Sequence, residues 1–385
     1  MKVIHLFPYS ARSPGGHSHA IREFIASQQA AGLDTVGLSP SAAAAFPNDL
    51  GLAAGIREMD FADPAAVSAE ITRLGNGDPV ILHLHAVDRF NTELAARARQ
   101  DGHAVALTSH GQLNVRSPLH AFKKLIYLAA CRSPVRYANG IHVLTHKERQ
   151  RLGIVIPRYK GTIVVLPHII HPPSELDLPG NFPDPQGSAG KNPFTVLHLG
   201  RLDVFTKGLD LLVKGFAKSG LDQAQLVLAG PDWKDGRATL EKLAHQLGCA
   251  GRVIFPGAVY GTEKEKLLAS ADLFVAASRW DAFNISLAEA LVREIPAIVS
   301  QRLNLAPELA QAGAAEVVPC SAHAFAKILG ELSRDPIRRQ AIATRGKTWV
   351  ASRCSANQVA AGFAAFYDEI RSQPDTTGTQ FTGKA

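Results

Sequence analysis

The sequence has few cysteines and no long apolar run. These two features argue against several classes of protein. Its 385 residues include only four cysteines, which are widely scattered and form neither a C-x-x-C pair nor a Cys/His cluster. This spacing argues against a disulfide framework and a zinc site and favours a reducing cytoplasm. No segment approaches the ~20 apolar residues that a membrane-spanning helix needs. We therefore expect a soluble, cytoplasmic protein.

Acidic residues are almost missing between residues 102 and 160, where ten Lys/Arg residues accompany the single acid Glu148. Residues 120–140 fit a basic amphipathic helix, which could lie on an anionic membrane surface or attract a lipid-linked diphosphate. The alternative is a solvated helix whose apolar side packs inward. Nucleic acid is disfavoured, because aromatic residues are not interleaved with the charges. The basic region 116–160 is thus a candidate for peripheral membrane contact.

Short apolar runs alternate with helical patterns along most of the chain. The first half contains the runs KVIHLF, TVGLS, VILHLHA, AVALTSHG and GIHVLT, and the second half contains FTVLHLG, AQLVLAG, RVIFPG, DLFVAAS, AIVS and AEVVP. Strands that are apolar on both faces and separated by helices are typical of a parallel sheet covered on both sides. The sequence therefore predicts an α/β protein with two Rossmann-like, doubly wound parallel-sheet domains.

The domain boundaries follow from a segment rich in Pro, Gly and Ser that breaks both periodicities. We place an N-terminal domain at residues 1–172, a linker at 173–193 and a C-terminal domain at 194–350. A C-terminal helix at 351–373 is expected to pack back on the N-terminal domain. The polar tail 374–385 is predicted to be disordered.

A phosphate-binding loop is predicted after the strand at 194–199, where the sequence reads GRLDVFTKG. Ligands bind to such sheets at the carboxyl ends of the strands. Arg201 offers a planar fork, Lys207 offers a point charge, and the following helix offers free N–H groups. The loop is not a Walker loop, because G-x-x-x-x-G-K-[ST] is absent. We predict an anion site here.

Two acids follow the strand at 273–277, in the run SRWDAFNISLAEAL. On a helix that begins near Phe283, Asp281 would lie at the entry turn and Glu289 two turns along. Carboxylates so placed could reach different parts of one elongated ligand. The alternative is that they only stabilise the helix dipole.

The histidines divide into one functional candidate and a group expected in the core. His110 ends an apolar run and precedes Gly111, which predicts an exposed position in the crevice. The Gly15-Gly16 loop could bring bare backbone close to phosphates or could be only a tight turn. Four histidines within predicted strands are expected to be buried and hydrogen-bonded: His83, His85, His142 and His198.

The ordered set GRLD…KG, LVLAGP, RVIFPGAV and DLFVAASRWDAFNISLAEAL resembles the C-terminal domain of the retaining glycosyltransferases of family 4. The N-terminal half agrees more loosely through PGGHSHAI, LHLHA, TSHGQ and GIHVLTHKE. The resemblance covers nearly the whole chain. It implies the GT-B fold, in which the two domains face a central cleft.

The resemblance also implies roles for individual residues. Arg201 and Lys207 would hold the donor diphosphate. Asp281 matches the first acid of the family's E-x7-E motif and would contact the transferred sugar, while Glu289 matches the second and would bind the ribose. His110 would lie beside the reacting sugar. Six further positions would contact phosphate, sugar or base: Gly15, Gly16, Val259, Phe283, Asn284 and Ile285.

The implied reaction transfers a sugar, with retention, from a nucleoside-diphosphate sugar to a hydroxyl of a saccharide or lipid-linked saccharide, as in polysaccharide biosynthesis. UDP is the first choice of nucleotide. No cofactor is expected, and no metal, because the chain lacks a D-x-D triplet. Alternatives are a sugar-nucleotide epimerase or phosphorylase, or a non-catalytic nucleotide-sugar-binding protein. Three departures leave donor choice open: Asp281 for Glu, Asn284 with Ala282 for small residues, and Glu294 for Gly.

Overall fold

The protein is described by a computed structural model that covers residues 1–13, 16–41, 52–113, 133–173 and 193–372. The chain forms two compact units. The first unit comprises Met1–Ile169 together with Cys354–Ala385, and the second comprises Ile170–Arg353. Gly15, most of the amphipathic segment 120–140, most of the linker 173–193 and the tail 374–385 lie outside the described residues.

The first unit contains a seven-stranded sheet and five α-helices in its described residues. Its strands pair in the order β3-β2-β1-β4-β5-β6-β7, and every pair is parallel. The strand order reverses between β1 and β4, so this sheet is doubly wound. Its elements are β1 (Lys2–Leu6), α1 (Gly16–Ala30), β2 (Asp34–Pro40), β3 (Ile56–Met59), α2 (Pro64–Gly75), β4 (Ile81–Leu84), α3 (Arg89–Gln100), β5 (Ala104–Thr108), β6 (Gly140–Val143), α4 (His146–Val155), β7 (Thr162–Val165) and, at the other end of the chain, α12 (Ala356–Ser372).

The second unit repeats this architecture with a six-stranded sheet. Its strands pair in the order β10-β9-β8-β11-β12-β13, again all parallel, with the reversal between β8 and β11. Its elements are β8 (Phe194–Leu199), α5 (Leu209–Ala217), β9 (Ala224–Ala229), α6 (Gly236–Gln246), β10 (Val253–Gly257), α7 (Gly261–Ala269), β11 (Leu273–Ala276), α8 (Ile285–Val292), β12 (Ala297–Ser300), α9 (Ala306–Ala312), β13 (Glu316–Val318), α10 (Ala322–Arg334) and α11 (Pro336–Ala351). The predicted α/β class with two doubly wound sheets is confirmed.

The apolar runs predicted the strands that are buried along their whole length. The strands β4, β5, β11 and β12 are buried along their whole length, as expected for a sheet covered on both faces. The apolar runs identified all six strands of the second unit but missed β3 and β7 in the first. Both missed strands lie at a sheet edge. Arg57 and Glu58 interrupt β3, so it gives no apolar run, whereas β7 has the apolar sequence TIVV and was missed in spite of it.

The final helix, α12, packs against the first sheet and against α1. Phe363, Phe366 and Tyr367 are buried, and Phe366 lies against Gly140 at the start of β6, where any side chain would collide with it. The C-terminal helix expected at residues 351–373 begins at Ala356, since residues 352–355 separate it from α11. None of the described helices is long and apolar enough to cross a membrane. Cys249, Cys320 and Cys354 are free thiols.

Candidate functional site

Two loops of the second unit meet at the carboxyl edge of its sheet. One follows β8 and leads to α5, and the other follows β11 and leads to α8. Because β8 and β11 are paired neighbours, the ends of both strands open at the same place. This is also the point where the strand order reverses, the usual ligand crevice of such sheets.

Gly208 allows the two loops to approach closely. It has φ +66°, a conformation that residues with a Cβ rarely adopt, and it caps the start of α5. A Cβ added at Gly208 would collide with the carbonyl oxygen of Ala277. The backbone N–H of Arg279 also donates to the carbonyl of Thr206, at 2.9 Å. Backbone contact therefore sets the spacing of the loops.

This contact brings Lys207 and Asp281 together. The Lys207 Nζ donates to Asp281 Oδ2 at 2.6 Å, and the two side chains are only 20% and 14% exposed. Each comes from a different loop, and each was predicted to belong to the site. The pair places a cation and a carboxylate side by side, next to the start of α5.

Arg201, the other predicted cation, makes different contacts. Its guanidinium stacks on the ring of Trp233, 4.2 Å from the ring centroid, and lies 3.7 Å from Asp203 Oδ2. The side chain of Arg201 is 46% exposed, and Trp233 is also partly exposed. Sequence reasoning missed Trp233, although an aromatic residue directly after a strand and its Gly-Pro turn is a usable signal. The exposed, stacked guanidinium can still accept an anion.

The start of α8 lies close to the predicted position near Phe283. The helix begins at Ile285, and Asn284 is its N-cap residue. Asn284 has φ +65°, and its Oδ1 accepts a hydrogen bond from the N–H of Leu287 at 2.9 Å. Asparagine tolerates this conformation better than other residues with a Cβ. Phe283 is buried, so its backbone rather than its ring is available to a ligand.

Glu289 is held by a lysine that sequence reasoning missed. Lys264, on α7, donates to Glu289 Oε1 at 2.8 Å, and both side chains are mostly buried. Val259 lies in the segment between β10 and α7 and is half-buried. Nothing in the spacing around Lys264 marks it, because its contact joins two helices that are separate in sequence.

A second missed cation, Arg279, braces the two loops. It makes a bidentate contact with Asp210 on α5, at 2.7 and 2.8 Å, and its guanidinium lies over the ring of Phe205. The hydrogen bonds that Arg279 donates to the Asp210 carboxylate raise the pKa of Arg279. Together with the Gly208 contact, this pair fixes the start of α5 against the loop that carries Asp281.

Below the Lys207–Asp281 pair lies a buried histidine, His198 on β8. Its Nδ1 donates to the carbonyl of Val275 at 3.0 Å, because a carbonyl can only accept. Burial lowers the pKa of His198 to about 4, so the ring is neutral at neutral pH. Its Nε2 is therefore a lone pair, and it is buried without a hydrogen-bond partner in the residues that the structure describes.

The corresponding edge of the first unit is lined by neutral histidines. His110 follows β5 with φ +43°, an unusual conformation for a residue with a Cβ, and it precedes Gly111 with φ +83°. The expectation of an exposed His110 is wrong, since the residue is only 7% exposed. Its ring packs near those of His85, His17 and His168, with centroids 5.2, 4.9 and 6.0 Å apart.

The loop that carries His110 is anchored by the single acid of the basic region. Glu148 is buried, and its Oε1 and Oε2 accept hydrogen bonds from the Ser109 hydroxyl at 3.1 Å and the Leu144 N–H at 3.0 Å. Burial raises the pKa of Glu148. Gly16 is the first residue of α1 and is exposed, and the neighbouring His17 lies against His110. The start of α1 therefore adjoins His110.

The expected core histidines are confirmed as buried and hydrogen-bonded. Burial lowers the pKa of His142 to about 4, and it lowers the pKa values of His83 and His85 well below the ordinary value. These rings are therefore neutral at neutral pH. The four residues are His83, His85, His142 and His198.

Comparison with known proteins supports this architecture. Residues 183–349 match the sequence model of the family described as glycosyl transferases group 1. An uncharacterized glycosyltransferase of Methanocaldococcus jannaschii is 38% identical over 106 residues, a stretch that covers 27% of this chain and 26% of that protein. The matched stretch thus spans about a quarter of that relative's length.

Solved structures extend the likeness to nearly the whole chain. Sucrose-phosphate synthase from Thermosynechococcus elongatus superposes with a TM-score of 0.74 and 18% identity, over 96% of this chain and 99% of that one. Anabaena HepE, solved in complex with UDP and glucose, gives a TM-score of 0.71 and 16% identity, with the same coverage. At these identities the likeness establishes the fold. The two units therefore share the fold of these glycosyltransferase structures, and residues 183–349 resemble the glycosyl transferases group 1 in sequence.

Proposed function

We propose that the chain transfers a sugar, with retention, from a nucleoside-diphosphate sugar to a hydroxyl of a saccharide or lipid-linked saccharide, and that UDP is the nucleotide. The observation that carries this proposal is the Lys207–Asp281 pair at the carboxyl edge of the second sheet. It combines a cation for phosphate with a carboxylate for hydroxyls beside a helix start. The HepE complex with UDP and glucose supports the choice of donor.

The diphosphate would lie between Lys207 and Arg201, facing the start of α5. Phosphate oxygens would receive hydrogen bonds from both side chains and from backbone N–H groups at the helix start. These contacts strengthen as negative charge develops on the leaving diphosphate, so they favour the transition state over the bound donor. Arg201 can turn toward the phosphates because its side chain is half-exposed and is held only by stacking on Trp233 and by a long contact, 3.7 Å, with Asp203 Oδ2.

Asp281 and Glu289 would bind hydroxyl groups at opposite ends of the donor. When Lys207 turns toward phosphate, the Asp281 carboxylate becomes free to accept hydrogen bonds from the sugar. The Glu289 carboxylate, which Lys264 positions, would accept from the two ribose hydroxyls, with the base near Val259. The backbone from Phe283 to Ile285, at the start of α8, would complete the sugar-phosphate contacts.

The reaction proposed needs no protein nucleophile. The acceptor hydroxyl attacks the anomeric carbon from the side of the leaving group, while the bond from that carbon to the diphosphate oxygen breaks. The acceptor proton passes to a departing phosphate oxygen, so charge and atoms balance. Lys207 and Arg201 neutralise the diphosphate in place of a metal ion, which fits the missing D-x-D triplet.

The first test is a thermal-shift measurement with UDP, GDP, ADP and their common sugar conjugates, without added metal. A ligand that binds the folded state must raise the melting temperature. We expect a UDP-sugar to stabilise the wild type and the shift to collapse in Lys207→Ala. Lys218→Ala is the matched control, because it removes an exposed lysine at the far end of α5.

The product then decides between the candidate activities. NMR of the product measures its anomeric configuration. Transfer of the sugar to a hydroxyl acceptor with retained configuration supports the proposal. An epimerised sugar nucleotide would instead show an epimerase, and sugar 1-phosphate formation would show a phosphorylase. Tight binding with no turnover on any acceptor would show a binding protein. If no nucleotide raises the melting temperature, the proposed donor site is wrong.

A further inference from the structure

Eight buried side chains of the first unit form one continuous hydrogen-bonded chain. The chain crosses the carboxyl half of the sheet and includes one residue each from α1 and α12. Its members, in spatial order, are His142, Thr108, His83, Tyr367, Gln28, His5, His85 and His110. All eight are buried.

The direction of the first hydrogen bond is set by a backbone carbonyl. His142 Nε2 lies 2.8 Å from the carbonyl oxygen of Leu166, which can only accept, so Nε2 carries the proton. Burial lowers the pKa of His142 to about 4, so the ring is neutral and its Nδ1 is a lone pair. That lone pair, 2.8 Å from Thr108 Oγ1, accepts from the threonine hydroxyl.

Each later bond then has only one consistent direction. The single proton of the Thr108 hydroxyl is used, so its oxygen accepts from His83 Nε2, at 2.7 Å. Burial keeps His83 neutral by lowering its pKa, and its Nδ1 accepts from the hydroxyl of Tyr367 at 2.8 Å. The oxygen of Tyr367 must in turn accept from a donor.

The nearer donor is the side-chain amide of Gln28, whose Nε2 lies 3.2 Å from the Tyr367 oxygen, which places its Oε1 toward His5 Nε2 at 3.0 Å. His5 Nε2 also lies 3.4 Å from the Tyr367 oxygen, a contact that agrees with a proton on that nitrogen. Since Oε1 can only accept, His5 carries its proton on Nε2. The hydroxyl of Thr35 lies 3.4 Å from the same Oε1, which agrees with this orientation of the amide.

The chain ends at His110. His5 Nδ1 accepts from His85 Nε2 at 2.8 Å, and His85 Nδ1 accepts from His110 Nε2 at 3.0 Å. The Nδ1 of His110 is consequently a lone pair. This atom is buried and has no hydrogen-bond partner within the described part of the chain. A buried acceptor without a partner points to a ligand group that donates.

We propose that this one-way hydrogen-bond chain, which starts at the Leu166 carbonyl, fixes the tautomer of His110 so that its Nδ1 accepts a hydrogen bond from a hydroxyl of the ligand. The other seven members are positioning residues. The identity of the ligand as a saccharide rests on the proposed function, whereas the tautomer does not.

The same chain explains a cluster that resembles a metal site. The ring nitrogens of His5, His83 and His85 lie within 4.8 Å of one another. Each of these rings carries its proton on Nε2 and already accepts a hydrogen bond on its Nδ1 lone pair. Metal binding requires a free lone pair on the neutral imidazole. The cluster is therefore a link in the hydrogen-bond chain, and Zn²⁺ should not bind there.

The test is the long-range ¹H–¹⁵N NMR spectrum of the full chain labelled at histidine, recorded at neutral pH. Pyrrole-type and pyridine-type nitrogens have well-separated ¹⁵N shifts, so each tautomer is read directly. We expect His5, His83, His85, His110 and His142 to carry the proton on Nε2. A protonated Nδ1 on His110, or resonances of His5, His83 and His85 that move when Zn²⁺ is added, would overturn the proposal.

Tyr367→Phe interrupts the chain at its centre. His142 and His83 stay anchored to the Leu166 carbonyl, but Gln28, His5, His85 and His110 lose their anchor and can reverse together. We expect the His110 Nδ1 resonance to shift toward the protonated, pyrrole-type value, while the His142 resonances stay in place. An unchanged His110 in this variant contradicts a role for the chain.

Tyr159→Phe is the matched control. Its hydroxyl is buried in the same unit and donates to the carbonyl of Ala138 at 3.1 Å, outside the chain. This substitution should leave the resonances of every histidine in the hydrogen-bond chain unchanged. If Tyr367→Phe does not fold, the wild-type spectrum alone still decides the tautomer of His110.

Ligand addition separates this proposal from the proposed function. Glucose, a simple hydroxyl-bearing probe, should move the His110 Nδ1 resonance in the direction of hydrogen-bond acceptance, and permethylated glucose, which has no hydroxyl, should not. If glucose at high concentration leaves His110 unchanged, its role toward a ligand hydroxyl is wrong. If no UDP-sugar raises the melting temperature, the proposed donor is wrong, and the tautomer and glucose results stand by themselves.

Discussion

The carboxyl edges of the two sheets have the same topology but carry side chains of different charge. At the carboxyl edge of the second unit, the charged side chains form pairs such as Lys207 with Asp281, Lys264 with Glu289 and Arg279 with Asp210. At that of the first unit, buried rings such as His85 and His110 are neutral and joined by hydrogen bonds. A charged edge suits phosphates and a neutral edge suits hydroxyls. The fold therefore determines where a ligand can bind, and the side chains at that edge determine which class of ligand it is.

The sharpest way to separate the two edges is to lower the pH, which should destabilise the first unit far more than the second. The folded pKa values of His5 and His142 are about 4, against 6.5 for the ordinary group. The unfolded chain takes up protons first, so stability is full above about pH 6.5 and falls as the pH drops toward 4. Each such histidine contributes a loss of roughly 1.4 kcal/mol per pH unit in that window.

Amide hydrogen exchange at pH 7 and pH 5 measures this effect in each unit. His5 and His142 alone account for a loss of roughly 4 kcal/mol between pH 6.5 and 5 at the amides of β4 and β5. The lowered pKa values of four further histidines of this unit add to that loss: His83, His85, His110 and His168. Among its described residues the second unit has one histidine whose pKa is lowered in this way, His198, so the amides of β8 and β11 should lose roughly 2 kcal/mol. Equal losses in both units would contradict a greater sensitivity of the first unit to low pH.

Lys207→Ala should have the next largest effect, and it should act on ligand binding and turnover rather than on pH dependence. By analogy with the loss of one charged contact in an oxyanion site, turnover should fall roughly 10² to 10³-fold. The measurement is initial rates with whichever sugar nucleotide stabilises the wild type. Lys218→Ala should retain wild-type rates, and an unchanged rate in Lys207→Ala would remove Lys207 from the mechanism.

Gly208→Ala should disturb the backbone contact between the two loops at the carboxyl edge of the second sheet. The substitution adds a left-handed strain of about 1–2 kcal/mol and a clash with the Ala277 carbonyl. Gly220→Ala is the control, because Gly220 has φ +71° but nothing near its missing Cβ. Urea unfolding should show a larger loss for Gly208→Ala than for Gly220→Ala. Equal losses would mean that the loops can separate without cost.

The smallest effect concerns the start of α8. Asn284→Ala removes the N-cap hydrogen bond to Leu287, and we expect a loss of about 1 kcal/mol from the cap, with added strain at φ +65°. Asn284→Gly keeps the left-handed conformation and should cost only a few tenths of a kcal/mol. Thermal unfolding of the two variants compares them. A Gly variant less stable than the Ala variant would contradict the capping role.

Several parts of the site could be predicted from the sequence because their signals are local. The loop with Arg201 and Lys207 follows a strand and precedes a helix within fifteen residues, so its position at the sheet edge is readable. The contact of Lys207 with Asp281 was not readable, because 74 positions separate them. The resemblance named both residues without showing that they pair. No sequence pattern identified Lys264 or Arg279 as residues of the site.

The sequence alone determined the α/β class, the doubly wound sheets and the loops that can bind a ligand, because hydrophobic periodicity and loop composition act over a few residues. Tertiary structure decided which side chains meet. His83 contacts Tyr367 across 284 positions, and His110 is buried although its loop position predicted exposure. Such contacts depend on strand register and on how helices pack over the sheet. Periodicity specifies that a face is buried, and only packing specifies what lies against it.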